Sequence, residues 1–135
     1  MFHKFTQCLS ITFLLLATAV THADTGAKGV WQTGTGDIGY LHVAIEPCEQ
    51  NLCGTIMMAF DPEDAANPDF EHIGKQMIWD MSATSDTNWG SGKIWDPIGG
   101  KTYKSKMIVK GDVLSVSGCF FFFCRAQDWK RVASN

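Results

Sequence analysis

The sequence predicts an all-β protein, a single small antiparallel meander barrel of about eight short strands with little helix. Three observations predict it. Segments of alternating apolar and polar residues recur along the chain, as at 40–46, where Leu41, Val43 and Ile45 share one face. Period two is the repeat of a half-buried strand. Turn residues separate the segments at regular spacing, and little of the chain favours a helix.

The expected strands follow one another with short connections. Their ranges are 29–33, 40–46, 52–60, 76–81, 92–96, 103–110, 113–118 and 124–132. In the third strand we expect Ile56, Met58 and Phe60 to share one face. After it, Asp61 and Pro62 are typical of a capped first turn, so we expect one turn of helix at most.

Residues 88–103 are the stretch around which the chain is organised: a strand with large apolar residues, a turn and the start of a second strand. Asp96 is able to bond the backbone two residues on, and Pro97 fixes φ at the first corner of the turn. Gly99 and Gly100 can adopt the positive φ that closes a tight or bulged hairpin. We therefore expect a β-hairpin here.

Residues 1–23 have the layout of a secretory signal peptide, with Lys4 near the start, an apolar segment over 9–20 and a small-residue cleavage site that ends at Ala23. About a dozen apolar residues are too few to span a bilayer, which takes about 20. We expect cleavage after Ala23. The product, residues 24–135, is expected to be one soluble domain outside the cytoplasm.

Acidic residues outnumber basic ones in the expected mature chain. After residue 23 there are 14 Asp and Glu against 10 of the 11 Lys and Arg, a net charge of −4. A nucleic-acid or anionic-lipid surface requires clustered positive charge. The charge balance therefore argues against both as partners.

Four cysteines follow the leader in two pairs, each pair separated by four residues: Cys48 with Cys53, and Cys119 with Cys124. An even number in an exported chain indicates disulfides. Four cysteines allow three pairings. We favour Cys48–Cys53 and Cys119–Cys124, because each closes a short loop between strands. The alternative, a zinc site with four thiolates, prefers tighter spacing and competes with oxidation.

The last expected strand favours a barrel over a sandwich. Trp129 belongs inside, and Arg131 shares its face. A buried guanidinium requires partners, and Trp31 in the first strand offers a π-face. We expect Trp31, Trp129 and Arg131 to close the meander by joining the first strand to the last. An initial Gly-x-Trp, starting here at Gly29, with a final Arg resembles the motif of calycin barrels, the lipocalin-like proteins.

The resemblance extends over nearly the whole chain after residue 23. In order, the following segments are similar to motifs of the small exported bacterial family named domain of unknown function (DUF) 2147: Cys48 with Cys53-Gly54, 67–69, Trp89, 92–97, 100–103, Gly118-Cys119 and 124–132. The resemblance implies a periplasmic or secreted bacterial calycin-like barrel that binds small apolar molecules, with no agreed catalytic residues. Four phenylalanines at 120–123 depart from it, since relatives are more mixed there.

A small barrel can hold one ligand in a pocket with apolar walls and a few polar groups. The candidate walls are Trp79, Trp89, Trp95, Tyr103, Met58 and Met107, and the candidate polar end is Arg125 with Gln127, suited to a carboxylate or headgroup. Alternatively, the same side chains fill a solid core. We expect a noncatalytic binder of a small hydrophobic or amphipathic ligand. The second hypothesis is a filled barrel with a structural or interaction role.

Four consecutive rings, Phe120, Phe121, Phe122 and Phe123, lie between the cysteines of the second pair. A six-residue segment closed by a disulfide cannot bury all four rings in its own hairpin, and a buried ring contributes about 1.5–3 kcal/mol. The rings therefore cap the barrel, join a homodimer or enter a lipid surface. Our hypothesis assigns Phe121 and Phe122 to a partner or lipid contact.

The sequence offers little for catalysis or for binding metals. Residues 100–102 do not form a phosphate-binding loop, because Trp95 stands where an earlier glycine is required and a strand follows. His42 lies on the expected outer face of its strand, and neither it nor His72 accompanies a nucleophile elbow. The acids of 61–71 lack the spacing of a calcium loop. We expect no enzyme activity, cofactor, metal or nucleic-acid partner.

Overall fold

The computed structural model describes residues 26–133, which form a closed barrel of eight antiparallel strands in sequence order. The strands are β1 (Gly29–Gln32), β2 (Tyr40–Cys48), β3 (Asn51–Phe60), β4 (Gln76–Ala83), β5 (Asn88–Trp95), β6 (Thr102–Lys110), β7 (Val113–Phe120) and β8 (Phe123–Arg131). Because β1 pairs with both β2 and β8, the sheet closes on itself. The predicted fold class is therefore confirmed. The predicted leader, 1–23, lies outside the described residues.

The connections between strands follow local turn chemistry. At 96–101 the backbone N–H of Ile98 donates to Oδ1 of Asp96 over 2.9 Å, and Gly100 has φ +71°, so the predicted hairpin forms. At 61–65 the carboxylate of Asp61 accepts two backbone N–H groups in a turn rather than a helix. Within residues 26–133 no helix is long and apolar enough to cross a membrane.

A β-bulge at Met57 makes the predicted face of Met58 and Phe60 wrong. The pairing of β2 with β3 shifts by one residue at this point. Beyond the bulge Ala59 is buried instead, and Phe60 stacks on Tyr40 on the outside, with ring centroids 4.9 Å apart. One inserted residue reverses every side chain after it, because strand side chains alternate with period two.

The core fills one end of the barrel, the closed end. The largest side chains that are less than 2% exposed are Trp31, Trp129, Ile45, Ile56, Ile78, Met81, Met107, Leu114 and Val43. The indole N–H of Trp31 donates to the carbonyl oxygen of Ala27 over 2.8 Å, so the segment before β1 folds beneath the barrel. Burying this apolar surface is the main stabilising contribution to the fold.

Arg131 covers the closed end from outside the core. Its guanidinium carbon lies 4.2 Å from the centre of the Trp31 ring. Its nitrogens donate to the carbonyl oxygens of Gly26 and Lys28 over 3.0 and 3.1 Å, and its Nε lies 3.3 Å from a carboxylate oxygen of Asp112. The first strand, the last strand and the 111–112 turn are thus tied together by one side chain.

Both favoured disulfides are present, Cys48–Cys53 and Cys119–Cys124. The first joins β2 to β3 at the closed end, and the second joins β7 to β8 at the opposite end. Disulfides are typical of proteins outside the reducing cytoplasm.

Candidate ligand-binding cleft

The end opposite the core, the open end, contains an accessible cavity. Four connections surround it: 33–39, 61–75, 96–101 and 121–122. The cavity has two adjoining compartments, of about 590 and 410 Å³. Met77, Asp96 and Gln127 line both of them and mark their junction. The barrel is therefore filled in its closed half and open in the other.

The larger compartment lies against β5, β6, β7 and β8 and has mainly apolar walls. Its apolar lining residues are Met77, Ile94, Trp95, Tyr103, Val116, Phe120, Phe123 and Trp129. Because Gly118 has no side chain, the part of the compartment next to Ile94 and Tyr103 stays open. A Cβ at Gly118 would lie 3.7 Å from both of these residues. A larger residue at Gly118 would narrow the compartment.

Arg125 is the cation of this compartment. It pairs with Gly118 across β7 and β8 and therefore shares the inner face with Gln127 and Trp129. Its side chain is exposed, and it makes no hydrogen bond or ion pair with any other residue of 26–133. The guanidinium is left with its five N–H donors free for another partner.

Gln127 is held in one orientation by its neighbour. The indole N–H of Trp129 lies 2.8 Å from Oε1 of Gln127. Because an indole N–H only donates, the carbonyl oxygen of the amide must face it, and the amide NH₂ points the other way. That NH₂ lies against Gly34, where a Cβ would be only 2.7 Å from Nε2. Gln127 therefore presents donors at the junction of the two compartments.

Among residues 26–133, Asp96 is the only carboxylate that lines the larger compartment. Its Oδ1 already accepts the backbone N–H of Ile98 in the 96–101 turn. Asp96 and Arg125 do not form an ion pair. The acid therefore shapes the turn and leaves the charge of Arg125 uncompensated.

The structure brings four of the six residues predicted for the ligand site together. Trp95, Tyr103, Arg125 and Gln127 all line the larger compartment. Trp79 does not, because it pairs with Lys93 on the outer face of the barrel.

The other predicted wall residues lie elsewhere as well. Trp89 pairs with Met107 and packs against the core, and Met107 itself is fully buried there. Met58 is turned outward by the bulge at Met57. Trp89 and Met107 therefore belong to the filled half, as the solid-core alternative expected, whereas Met58 lies on the outer surface.

Sequence reasoning missed the part of the wall formed by Met77, Ile94 and Val116. Ile94 and Trp95 both reach the compartment although they are neighbours, because β5 ends at Trp95 and the chain turns at Asp96. Strict alternation would place these two neighbours on opposite faces. The glycine at 118 was an available signal, since a glycine inside a strand often marks close approach or free space.

The residues 120–123, here named the phenylalanine tip, border the cleft. Phe120 pairs with Phe123 on the inner side, and both line the larger compartment. Phe121 and Phe122 form the turn and are 83% and 98% exposed. The Cys119–Cys124 disulfide fixes the base of the tip.

His42 and His72 are not among the residues that line the larger compartment. Burial lowers the pKa of His42, whose ring lies 4.5 Å from that of Phe60 on the outer surface. His72 contacts the Trp95 ring edge-on at 5.0 Å and lies 3.4 Å from a carboxylate oxygen of Glu71. In the part of the chain that the structure describes, no three His, Cys, Asp or Glu residues are grouped as metal ligands.

Comparisons with known proteins agree with this architecture. A family model described as "Uncharacterized protein conserved in bacteria (DUF2147)" matches residues 29–131. A similar solved structure is that of protein HP1028 from Helicobacter pylori, described as belonging to the lipocalin family. It is 15% identical, with a TM-score of 0.64, over 78% of this chain and 82% of that chain. No curated protein shows significant similarity to the chain.

Proposed function

We propose that this chain, which belongs to the DUF2147 family, is a noncatalytic binding protein of the bacterial periplasm or secreted space that holds a small amphipathic molecule with an anionic group. One observation carries the proposal. Arg125 is an unpaired cation beside a cleft with apolar walls. An arginine recognises carboxylate and phosphate by two parallel hydrogen bonds.

In the larger compartment Arg125 and Gln127 favour an acceptor in the ligand, whereas Asp96 already accepts a backbone N–H in the 96–101 turn. Arg125 has only donors, and the amide of Gln127 is turned so that its donors remain. A ligand headgroup with several acceptor oxygens satisfies both side chains. A cationic headgroup would meet Arg125 with like charge, so the same arrangement disfavours it.

The dimensions and the walls of the cleft suit the apolar part of such a ligand. Ligand pockets commonly measure about 300–1,000 Å³ and are lined mainly by apolar and aromatic side chains. The larger compartment, of about 590 Å³, is within this range and includes the rings of Trp95 and Tyr103. The second compartment provides further space beyond Gln127 for a ligand with a longer apolar chain.

A matched pair of probes tests the proposal. Dodecanoate and dodecanol have the same apolar chain and differ in the charge of the headgroup. Each is titrated into the oxidised protein while tryptophan fluorescence is recorded, because Trp95 lies in the wall. We expect dodecanoate to bind at least about tenfold more tightly than dodecanol, the effect of one charge-assisted contact.

Substitution of Arg125 tests whether its charge causes the tighter binding of dodecanoate. Arg125→Met keeps the length of the side chain and removes its charge, and Lys104→Met makes the same change on the exposed outer face. The Arg125 variant should lose the preference for dodecanoate, and the Lys104 variant should keep it. Equal binding of both probes to the unaltered protein, or an unchanged preference in Arg125→Met, would reject the proposal.

A further inference from the structure

The large apolar side chains that remain exposed are concentrated at the open end. Within residues 26–133 those at this end are Ile38, Ile98 and the four rings of the phenylalanine tip. Elsewhere in the described part of the chain, only Met57 and Val113 are large apolar side chains that remain exposed. A concentration of this kind marks a surface that contacts something other than water.

The tip is unfavourable for the isolated fold in two ways. Phe121 has φ +53°, a region that bulky residues avoid and that Asn or Gly occupies at low cost in a hairpin turn. Its neighbour Phe122 has almost no contact with the rest of the protein. Strained residues of this kind persist at functional contacts.

Charge is divided between the two halves of the barrel. Residues 88–131, which contain β5–β8 and the tip, have eight Lys and Arg against three Asp and Glu. Residues 26–87, which contain β1–β4, have two Lys and Arg against ten Asp and Glu. Since consecutive strands are neighbours around the barrel, one side is basic and the opposite side is acidic.

The strand register places lysines directly below the tip. Lys93 pairs with Lys104, and Lys104 pairs with Cys119 at the base of the tip. These two lysines and Lys106 border one groove of the outer surface with Cys119. The overall negative charge predicted no contact with an anionic-lipid surface, but the positive charges are concentrated on one side of the barrel and this side can meet such a surface.

We propose that the phenylalanine tip inserts into a bilayer that contains anionic lipids, with Lys93, Lys104 and Lys106 against the headgroups. Aromatic side chains that enter the interface together with adjacent cations are the usual basis of reversible membrane attachment. Docking in this way sets the mouth of the cleft, bordered by Phe120 and Phe123, at the lipid surface.

Charge selects the bilayer over a second copy of the chain. In a twofold dimer through the tips, the same lysines of both copies would approach each other, and like charges oppose that contact. An anionic surface instead attracts the basic side of the barrel, which carries these lysines. The same surface repels the acidic 61–75 connection on the other side of the mouth. The barrel is therefore tilted on the membrane, with β7 and β8 lowest.

Cosedimentation with vesicles tests the docking. Vesicles of phosphatidylcholine are compared with vesicles that also contain phosphatidylglycerol, using the oxidised full protein. Phe121→Ser with Phe122→Ser removes the two most exposed rings of the tip, and Met57→Ser removes an exposed apolar side chain of β3 as a control. Lys104→Gln with Lys106→Gln removes charge and leaves the rings.

We expect binding to the anionic vesicles that falls at least about tenfold in the double phenylalanine variant and is unaffected in the Met57 variant. The lysine variant should bind less and lose most of its dependence on salt. Melting temperatures should stay near that of the unaltered protein, because these side chains are exposed. Analytical ultracentrifugation of the same proteins measures self-association.

Three results would overturn the proposal: no binding to anionic vesicles, equal binding by the double phenylalanine variant, or a dimer without vesicle binding that this variant dissociates. None of them bears on dodecanoate binding to Arg125, so the cleft proposal and the docking proposal fail separately.

Discussion

The guanidinium of Arg131 lies 4.2 Å from the centre of the Trp31 ring, which joins the last strand to the first. Arg125 lies six positions earlier on the same face of β8, yet it has no partner within residues 26–133. The two arginines therefore have different roles. The one at the closed end stabilises the barrel, and the one at the open end is available to a ligand.

Arg131→Met should lower the free energy of unfolding by about 2–3 kcal/mol, because it removes the contact with Trp31 and the hydrogen bonds to the carbonyl oxygens of Gly26 and Lys28. Urea unfolding measures the change. Arg125→Met is the matched control and should change stability by less than about 0.5 kcal/mol. Similar losses in the two variants would contradict the division of roles.

Gly54→Ala should destabilise the barrel by about 1–3 kcal/mol, the usual cost of an overpacked core. A Cβ at this position would lie 2.9 Å from Cδ1 of Ile45 and 3.1 Å from Cβ of Ile78. Gly90→Ala is the control, since its Cβ would meet Thr84 at 3.8 Å. Thermal unfolding compares the two variants. Equal stability would show that the core rearranges around the added methyl group at position 54 without cost.

Stability should fall as the pH is lowered through the range in which His42 titrates. Burial lowers its pKa below the ordinary value of 6.5, so the unfolded chain takes up the proton first. Above about pH 6.5 the ring is neutral in both states and contributes no pH dependence. His42→Gln should reduce the loss of melting temperature between about pH 7.5 and 5. An identical loss in the variant would show that burial does not affect His42.

Phe121→Asn should raise the stability of the protein by about 1 kcal/mol, because asparagine adopts the positive φ of this position at lower cost. The same substitution should weaken binding to anionic vesicles, since it removes one exposed ring. Urea unfolding and cosedimentation give the two results. A variant that is less stable than the unaltered protein would show that Phe121 supports the fold.

The strands were predictable because their signals are local. Alternation and turn residues such as Asp96 and Gly100 act within a few neighbouring positions, so the sequence is sufficient to locate each strand to within a few residues. The pair Trp31 and Arg131 was identifiable for another reason. A charged side chain on an inward face requires a partner, and the ring of Trp31 in the first strand supplies one.

Features that depend on register were not predictable in the same way. The bulge at Met57 appears only when β3 is paired with β2, and it reverses Met58 and Phe60. The position of Trp79 opposite Lys93 likewise depends on how β4 and β5 align. A single sequence shows which residues each strand contains, but it does not show the register in which one strand pairs with the next.

Native mass spectrometry of the protein purified from an oxidising compartment tests the central claim most directly. We predict one bound anionic amphipathic molecule per chain, identified after organic extraction, and its loss in Arg125→Met but not in Lys104→Met. An empty chain that also fails to take up added dodecanoate, or a ligand that Arg125→Met retains, would contradict the assignment of the cleft and its arginine to ligand binding.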